Sequence, residues 1–359
     1  MSRHDVEDLP TDDADLEWCH EAVQGVSRTF ALTVDVLEEP MSSYICVGYL
    51  VCRVADTVED AGHVPPAAQA DLLRTYDAAL DPDSEVDVEA FLDAVEQYLP
   101  PEDERSDDWA VVAEADRIVR TFEALPPDVR DAVTPPAREL VQGMAMFVER
   151  YADADGLRIE TGEELEEYCY YAAGTVGNLI TNLVTRGDLD ARRRRALYER
   201  AEEFGLLLQL VNIAKDVHDD YTAENNVYLP AEWLADEGVP QEEVVEPEHE
   251  SGAASVVRRV AEHARGFLDD AQRYLEEVPT TDGNTLAAWA IPYLLAVGTL
   301  RELLANPEHA LSDRGVKVSR KEVFAVVAAM TGEGGRDSLG DLRETVFSKP
   351  YHRAGARAD

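Results

Sequence analysis

The chain has 359 residues, 45% of them apolar, which is enough to close a buried core, and 74 acidic against 32 basic side chains, for a formal charge of -42. Such a surface repels nucleic acid and anionic lipid at ordinary salt. It suits a protein kept soluble at very high ionic strength, where screening over about 3 Å removes the self-repulsion, so a halophilic host is expected. Helicity should then be lost progressively on dialysis into dilute buffer, and a circular dichroism spectrum that stays unchanged there would refute this reading. No N-terminal segment joins a basic start to an apolar run, and the low-charge stretch Ser42 to Ala55 is shorter than the roughly 20 residues of a membrane span. A cytoplasmic protein is expected. There is no dinucleotide-type glycine motif, Walker loop, Gly-x-Ser-x-Gly or His pair at zinc spacing, so those chemistries have no support on their usual scaffolds.

Apolar residues recur at helical spacing and alternating runs are scarce, which predicts an all-α fold. Residues 1–13 read as a frayed terminus, 14–330 as one helical domain, and 331–359 as a tail without a membrane anchor. Breaks are expected at Gly62 to Pro66, Asp81 to Asp87, Pro100 to Asp108, Pro126 to Pro136, Asp236 to Gly252 and Val278 to Gly283. Cys19, Cys46, Cys52 and Cys169 form no Cys-x-x-Cys pair, and reduced core thiols are expected.

In chain order, the first chemistry-bearing segment is Ser27-Arg28-Thr29-Phe30. A run from Tyr44 to Ala55, uncharged except for Arg53 and containing Tyr49, then leads into Asp56, Glu59 and Asp60. Spacing of i, i+3 and i+4 puts those carboxylates side by side on one helix face. Tyr168 opens a segment to Ile180 that is aromatic at its start and small around Gly174 and Gly177, either for tight helix packing or to admit something bulky to the backbone.

Phe204 to Lys215 is again largely apolar and ends in Asp216, Asp219 and Asp220, repeating the first spacing. Acidic triplets also arise by chance in so acidic a chain, and Glu163, Glu166 and Glu167 form one. Context separates them: the two clusters end helices too apolar to be solvated, and buried charges require a metal, a partner or a ligand. Gln209, Asn212, Asp216 and Asp220 make one polar stripe on a greasy helix, as the lining of a cavity does. Carboxylates on two such helices could hold magnesium, a hard cation that bridges carboxylate to diphosphate. Arg53 and Lys215 stand beside the acids, able to hold diphosphate oxygens or simply to pair with the carboxylates.

With Tyr228-Leu229-Pro230 added, these blocks resemble, in order, those of the squalene and phytoene synthase family, from about Ser27 to about Val327. The resemblance implies an isoprenoid-synthase helical bundle around a central cavity. It makes Asp56, Asp60, Asp216 and Asp220 magnesium ligands, with Asn212 and the adjoining Glu59, and makes Ser27, Arg28, Thr29, Phe30, Tyr49, Arg53, Gln209 and Lys215 residues that bind or ionise prenyl diphosphates. Tyr168 matches the tyrosine that assists the cation and proton-transfer steps. Ala290-Ile291-Pro292 and Gly315 to Lys321 resemble late segments of squalene synthases, the second lying near NADPH, so Lys317 and Arg320 become cofactor contacts, although Ser319 stands where an arginine is expected.

The implied reaction joins two farnesyl diphosphates head to head to presqualene diphosphate and reduces that to squalene, with peripheral membrane contact for product release. The alternatives are phytoene or dehydrosqualene synthesis, which need no reductant, and a non-enzymatic acidic scaffold that binds cations.

Overall fold

The computed structural model describes residues 13–154, 156–332 and 338–353; the expected frayed residues before Asp13, and Ala354 to Asp359, lie outside them. The helices are α1 (Asp13–Val26), α2 (Arg28–Asp35), α3 (Met41–Glu59), α4 (Pro66–Leu80), α5 (Val88–Val95), α6 (Asp107–Ala113), α7 (Ala115–Glu123), α8 (Pro127–Arg150) and α9 (Gly162–Cys169). They continue as α10 (Thr175–Val184), α11 (Ala191–Tyr198), α12 (Ala201–Asp219), α13 (Ala231–Asp236), α14 (Glu250–Arg265), α15 (Leu268–Glu277), α16 (Leu286–Ala305), α17 (Arg320–Thr331) and α18 (Leu339–Ser348). Among the described residues there is no strand, only an isolated bridge between Arg158 and Val227, as the helical periodicity requires.

Two helices form the centre. Of the 19 residues of α3, 16 are buried, which is why its sequence is apolar all round rather than along one stripe; it packs on α8, α6, α7 and α1. Helix α12 packs on α14, α10, α15 and α16. Helix α16 is long and apolar enough to cross a membrane by length and composition, but 72% of its most apolar window is buried within this fold. All four cysteines are buried and free, as expected of core thiols.

Five of the expected breaks fall between helices. The break at Pro126 to Pro136 does not: Pro126 caps α8, Pro127 occupies its first turn, and the helix runs on through Pro135 and Pro136. A proline inside a helix frees the carbonyl four residues earlier, and the Asn182 amide donates to that of Ala132 at 2.9 Å, replacing the bond that Pro136 cannot make. Residues 331–359, read as a tail, hold α18, which packs on α16 with Leu339 and Val346 buried.

There are two single π-helical turns, Tyr170–Gly174 joining α9 to α10 and Asp220–Glu224 continuing the end of α12. Such turns re-aim side chains and gather at functional sites. The small residues at 174–177 serve helix packing: a Cβ on Gly177 would run into the Ala201 carbonyl, and one on Gly205 into that of Ala173. The two backbones therefore touch, while Ala172, Ala173 and Val176 line a cavity.

Candidate active site

A cavity of about 760 Å³ lies among α2, α3, α8, α10, α12 and α16. One end is apolar, with Leu140, Met144, Ile180, Phe204, Leu208 and Trp289; the other carries the charged groups. Ser27, Thr29, Phe30, Tyr49, Arg53, Asp56, Glu59, Asp60, Tyr168, Gln209, Asn212, Lys215, Asp216, Asp220 and Lys317 all line it. Among the expected site residues, Arg28 and Arg320 are exposed and outside the lining, as is Asp219 of the second triplet.

Local structure explains the positions. Ser27 caps α2, its hydroxyl accepting the Phe30 N–H at 3.2 Å, and the Phe30 ring stacks on Tyr49 at 3.9 Å between centroids. The first cluster ends α3, where the buried Gln69 amide donates to the carbonyls of Val58, Glu59 and Ala61 at 2.8–3.2 Å. Those orphan carbonyls are thereby satisfied and the helix end is fixed.

Glu59 is 6% exposed. Its Oε2 accepts the Tyr168 hydroxyl at 3.3 Å, while its Oε1 is buried without a hydrogen-bond partner. Tyr168 also lies 3.2 Å from the Tyr228 hydroxyl, which accepts the Asn226 amide at 3.3 Å. Asn226 is held through the 157–159 crossing, its Oδ1 accepting the Leu157 N–H at 2.8 Å.

The acids of the site are poised against ionisation. Burial pushes Asp56 up to about 6, Glu59 to about 8, Asp220 to about 8 and Glu224 to about 7, and Asp60 far above the usual carboxylate range. Mutual repulsion adds to desolvation: Glu224 raises Glu59 and Asp60 on one side and Asp220 on the other. The cations present do not neutralise so many acids. Arg53 is engaged by Asp108, Nε at 2.9 Å and Nη2 at 2.8 Å, and reaches Asp56 at 3.7 Å; Lys215 pairs with Asp216. Burial keeps Tyr168 and Tyr228 protonated. An unpartnered buried carboxylate oxygen among mutually repelling acids, beside an amide oxygen on Asn212, is an all-oxygen donor set that fits a hard divalent cation.

Sequence reasoning missed Glu224, Asp108, Gln69 and Asn226. Glu224 was legible, because it extends the stripe 209–212–216–220 by one more step of four. Asp108, 55 residues from Arg53, has no local signal.

A helical bundle closed on an apolar cavity, with carboxylates from two central helices at one end, is the arrangement of the isoprenoid synthases. Residues 23–322 match the Squalene/phytoene synthase family model, and the chain belongs to that family. It is 28% identical over 299 residues to Squalene synthase ERG9 of Candida albicans, covering 82% of this chain and 63% of that protein. The squalene synthase of Schizosaccharomyces pombe is 24% identical over 309 residues, covering 86% and 64%. The chain thus spans less than two thirds of the length of these relatives. Among solved structures, TcSQS in complex with the ligand E5700 superposes with a TM-score of 0.77 at 24% identity, over 96% of this chain and 94% of that one. A dehydrosqualene synthase in complex with a ligand gives 0.61 at 23%, over 94% and 98%. Both share the fold.

Proposed function

We propose that the protein condenses two farnesyl diphosphates head to head to presqualene diphosphate and reduces that to squalene with NADPH. The observation that carries this is one cavity lined by Asp56, Glu59 and Asp60 of the first cluster, by Asp216 and Asp220 of the second, and by an apolar wall that includes Leu140, Met144, Ile180 and Trp289. Asp56, Glu59, Asp60, Asn212, Asp216 and Asp220, with Glu224, would hold magnesium, which when bound supplies the charge that neutralises a diphosphate leaving group.

The chain's own residues do the rest. Arg53 and Lys215 offer donors to diphosphate oxygens. Phe30 and Tyr49 form an aromatic wall, and the chamber excludes water, which would otherwise trap an allylic or cyclopropylcarbinyl cation as an alcohol. Tyr168 presents a protonated phenol that moves or holds a proton against Glu59.

The squalene reading over the phytoene one is favoured by the names of the relatives and by Lys317 in the lining. Arg314, Lys317, Arg320 and Lys321 are exposed, and no ion pair joins any of them to an acid of the described residues. That is unusual at a charge of -42. Lys317 and Arg320 would hold the phosphates of NADPH, which supplies hydride.

The test is incubation of purified protein in high salt with magnesium and farnesyl diphosphate, with and without NADPH. Squalene is expected with it. Without it, farnesyl diphosphate is still consumed, and the products are presqualene diphosphate, dehydrosqualene or alcohols. Lys317→Ala should imitate the omission through a cofactor KM raised by about one to two orders of magnitude. The same products with and without NADPH, or phytoene formed preferentially from geranylgeranyl diphosphate, would sink the squalene assignment.

A further inference from the structure

Helix α16 has two working faces. Trp289, Pro292, Leu295, Ala296 and Thr299 line the cavity, while Gly298 and Arg301 meet the C-terminal helices. The Arg301 guanidinium forks onto Glu322, Nη1 to Oε1 and Nη2 to Oε2, each at 2.9 Å, and Nη1 also donates to the Val346 carbonyl. Glu322 lies in the first turn of α17 and is 1% exposed. Its Oε1 accepts the Tyr351 N–H at 2.9 Å, and its own N–H donates to Ser319 Oγ at 3.3 Å. One buried ion pair therefore joins α16, the start of α17, the end of α18 and the turn that follows it. Beside it, a Cβ on Gly298 would stand 3.2 Å from Val318 Cγ2 and 3.5 Å from Val346 Cγ1, so the glycine lets this layer sit close.

The chain fixed by that pair is part of the cavity wall: Val316, Lys317, Val318 and Val323 line the chamber together with Leu295 and Thr299 of α16. A buried ion pair is a poor source of net stability, because desolvating both charges offsets their attraction. Its forked geometry does fix direction and register, which an apolar contact does less sharply.

We propose that Arg301 and Glu322 are positioning residues that dock the 316–323 wall on the chamber and so decide whether the last carbocation closes with hydride or with water. This rests on the reaction proposed above. Closure with hydride forms a C–H bond and oxidises NADPH to NADP⁺. Water adds its oxygen to the same carbon and releases a proton to solvent, giving an alcohol with no redox change. A loosened wall admits water and displaces Lys317 and Arg320, while the carboxylates and Arg53 of the first ionisation stand on other helices and are left in place.

The test uses the full chain with Glu322→Gln and Arg301→Met, and with Gly298→Ala as a variant whose methyl presses on Val318 at 3.2 Å and meets Glu322 Oε1 only at an ordinary 3.8 Å, leaving both charges of the pair in place. Farnesyl diphosphate consumption should stay within about twofold of the parent, the ratio of alcohol to squalene should rise about tenfold, and the KM for NADPH should increase. Amide exchange should quicken in 314–331 and not in α3 or α12. Unchanged exchange and product ratio in the variants would overturn the proposal, as would equal loss of both half-reactions with exchange loosened throughout. A parent protein that consumes no farnesyl diphosphate would sink the function proposed above instead, and the exchange comparison would still decide whether the pair docks this wall.

Discussion

Replacing Asp60 or Asp220 with asparagine is expected to lower turnover by about three orders of magnitude or more, and at the same time to raise the melting temperature of the metal-free protein by roughly 2–4 °C. The first effect follows from losing a carboxylate of the proposed magnesium site. The second follows from the sign of the pKa shifts. Burial and the neighbouring acids hold these carboxyls above their ordinary values, Asp220 at about 8 and Asp60 further. A group whose folded pKa is raised costs stability wherever the unfolded chain would be ionised. That cost is absent below the ordinary carboxylate pKa of about 4, grows as pH rises from there, and is complete above the folded pKa. At pH 8 the asparagine variants escape it while keeping the shape of the side chain. Magnesium should stabilise the parent protein by binding the folded state alone, and the variants should lose most of that increment. Thermal melts with and without magnesium, read beside product formation, check both halves. Full activity in either variant would remove that residue from the metal site, and a lowered metal-free melting temperature would contradict the account of mutual repulsion.

Tyr168→Phe is expected to lower product formation by about two to three orders of magnitude, and Tyr228→Phe by about one. The hydroxyl of Tyr168 lies 3.3 Å from Glu59 Oε2 and 3.2 Å from that of Tyr228. A phenol has one proton to donate. When Glu59 is ionised that proton goes to the carboxylate, and Tyr228, supported by the Asn226 amide, donates in turn to Tyr168. Removing the Tyr168 hydroxyl therefore deprives Glu59 of its one hydrogen-bond donor and leaves both carboxylate oxygens unpaired in a buried site, whereas removing that of Tyr228 only weakens the orientation of Tyr168. The loss in Tyr168→Phe should fall on kcat, since the phenol acts on charge formed during reaction rather than on substrate affinity. Product analysis at saturating substrate checks the order of the two effects. A Tyr228→Phe loss equal to or larger than that of Tyr168→Phe would reverse the assignment of which phenol acts directly.

The helical class, the two acidic clusters and the polar stripe on α12 are legible in the order of residues, because helix is a local structure and i, i+3, i+4 spacing fixes which side chains share a face. So is the burial of these helices, since Tyr44 to Ala55 and Phe204 to Ala214 leave almost no polar face to show to solvent. Tertiary structure alone decided which distant groups meet. Asp108 on Arg53, Gln69 under the end of α3, the bond from Asn182 that carries α8 past its prolines, and the pairing of Arg301 with Glu322 all join residues 8 to 55 positions apart. No periodicity encodes such contacts, which follow from how the helices cross. The raised pKa values are likewise a property of the assembled site: each carboxylate is ordinary on its own helix, and only the closing of the bundle removes water from around them all and sets their charges against one another.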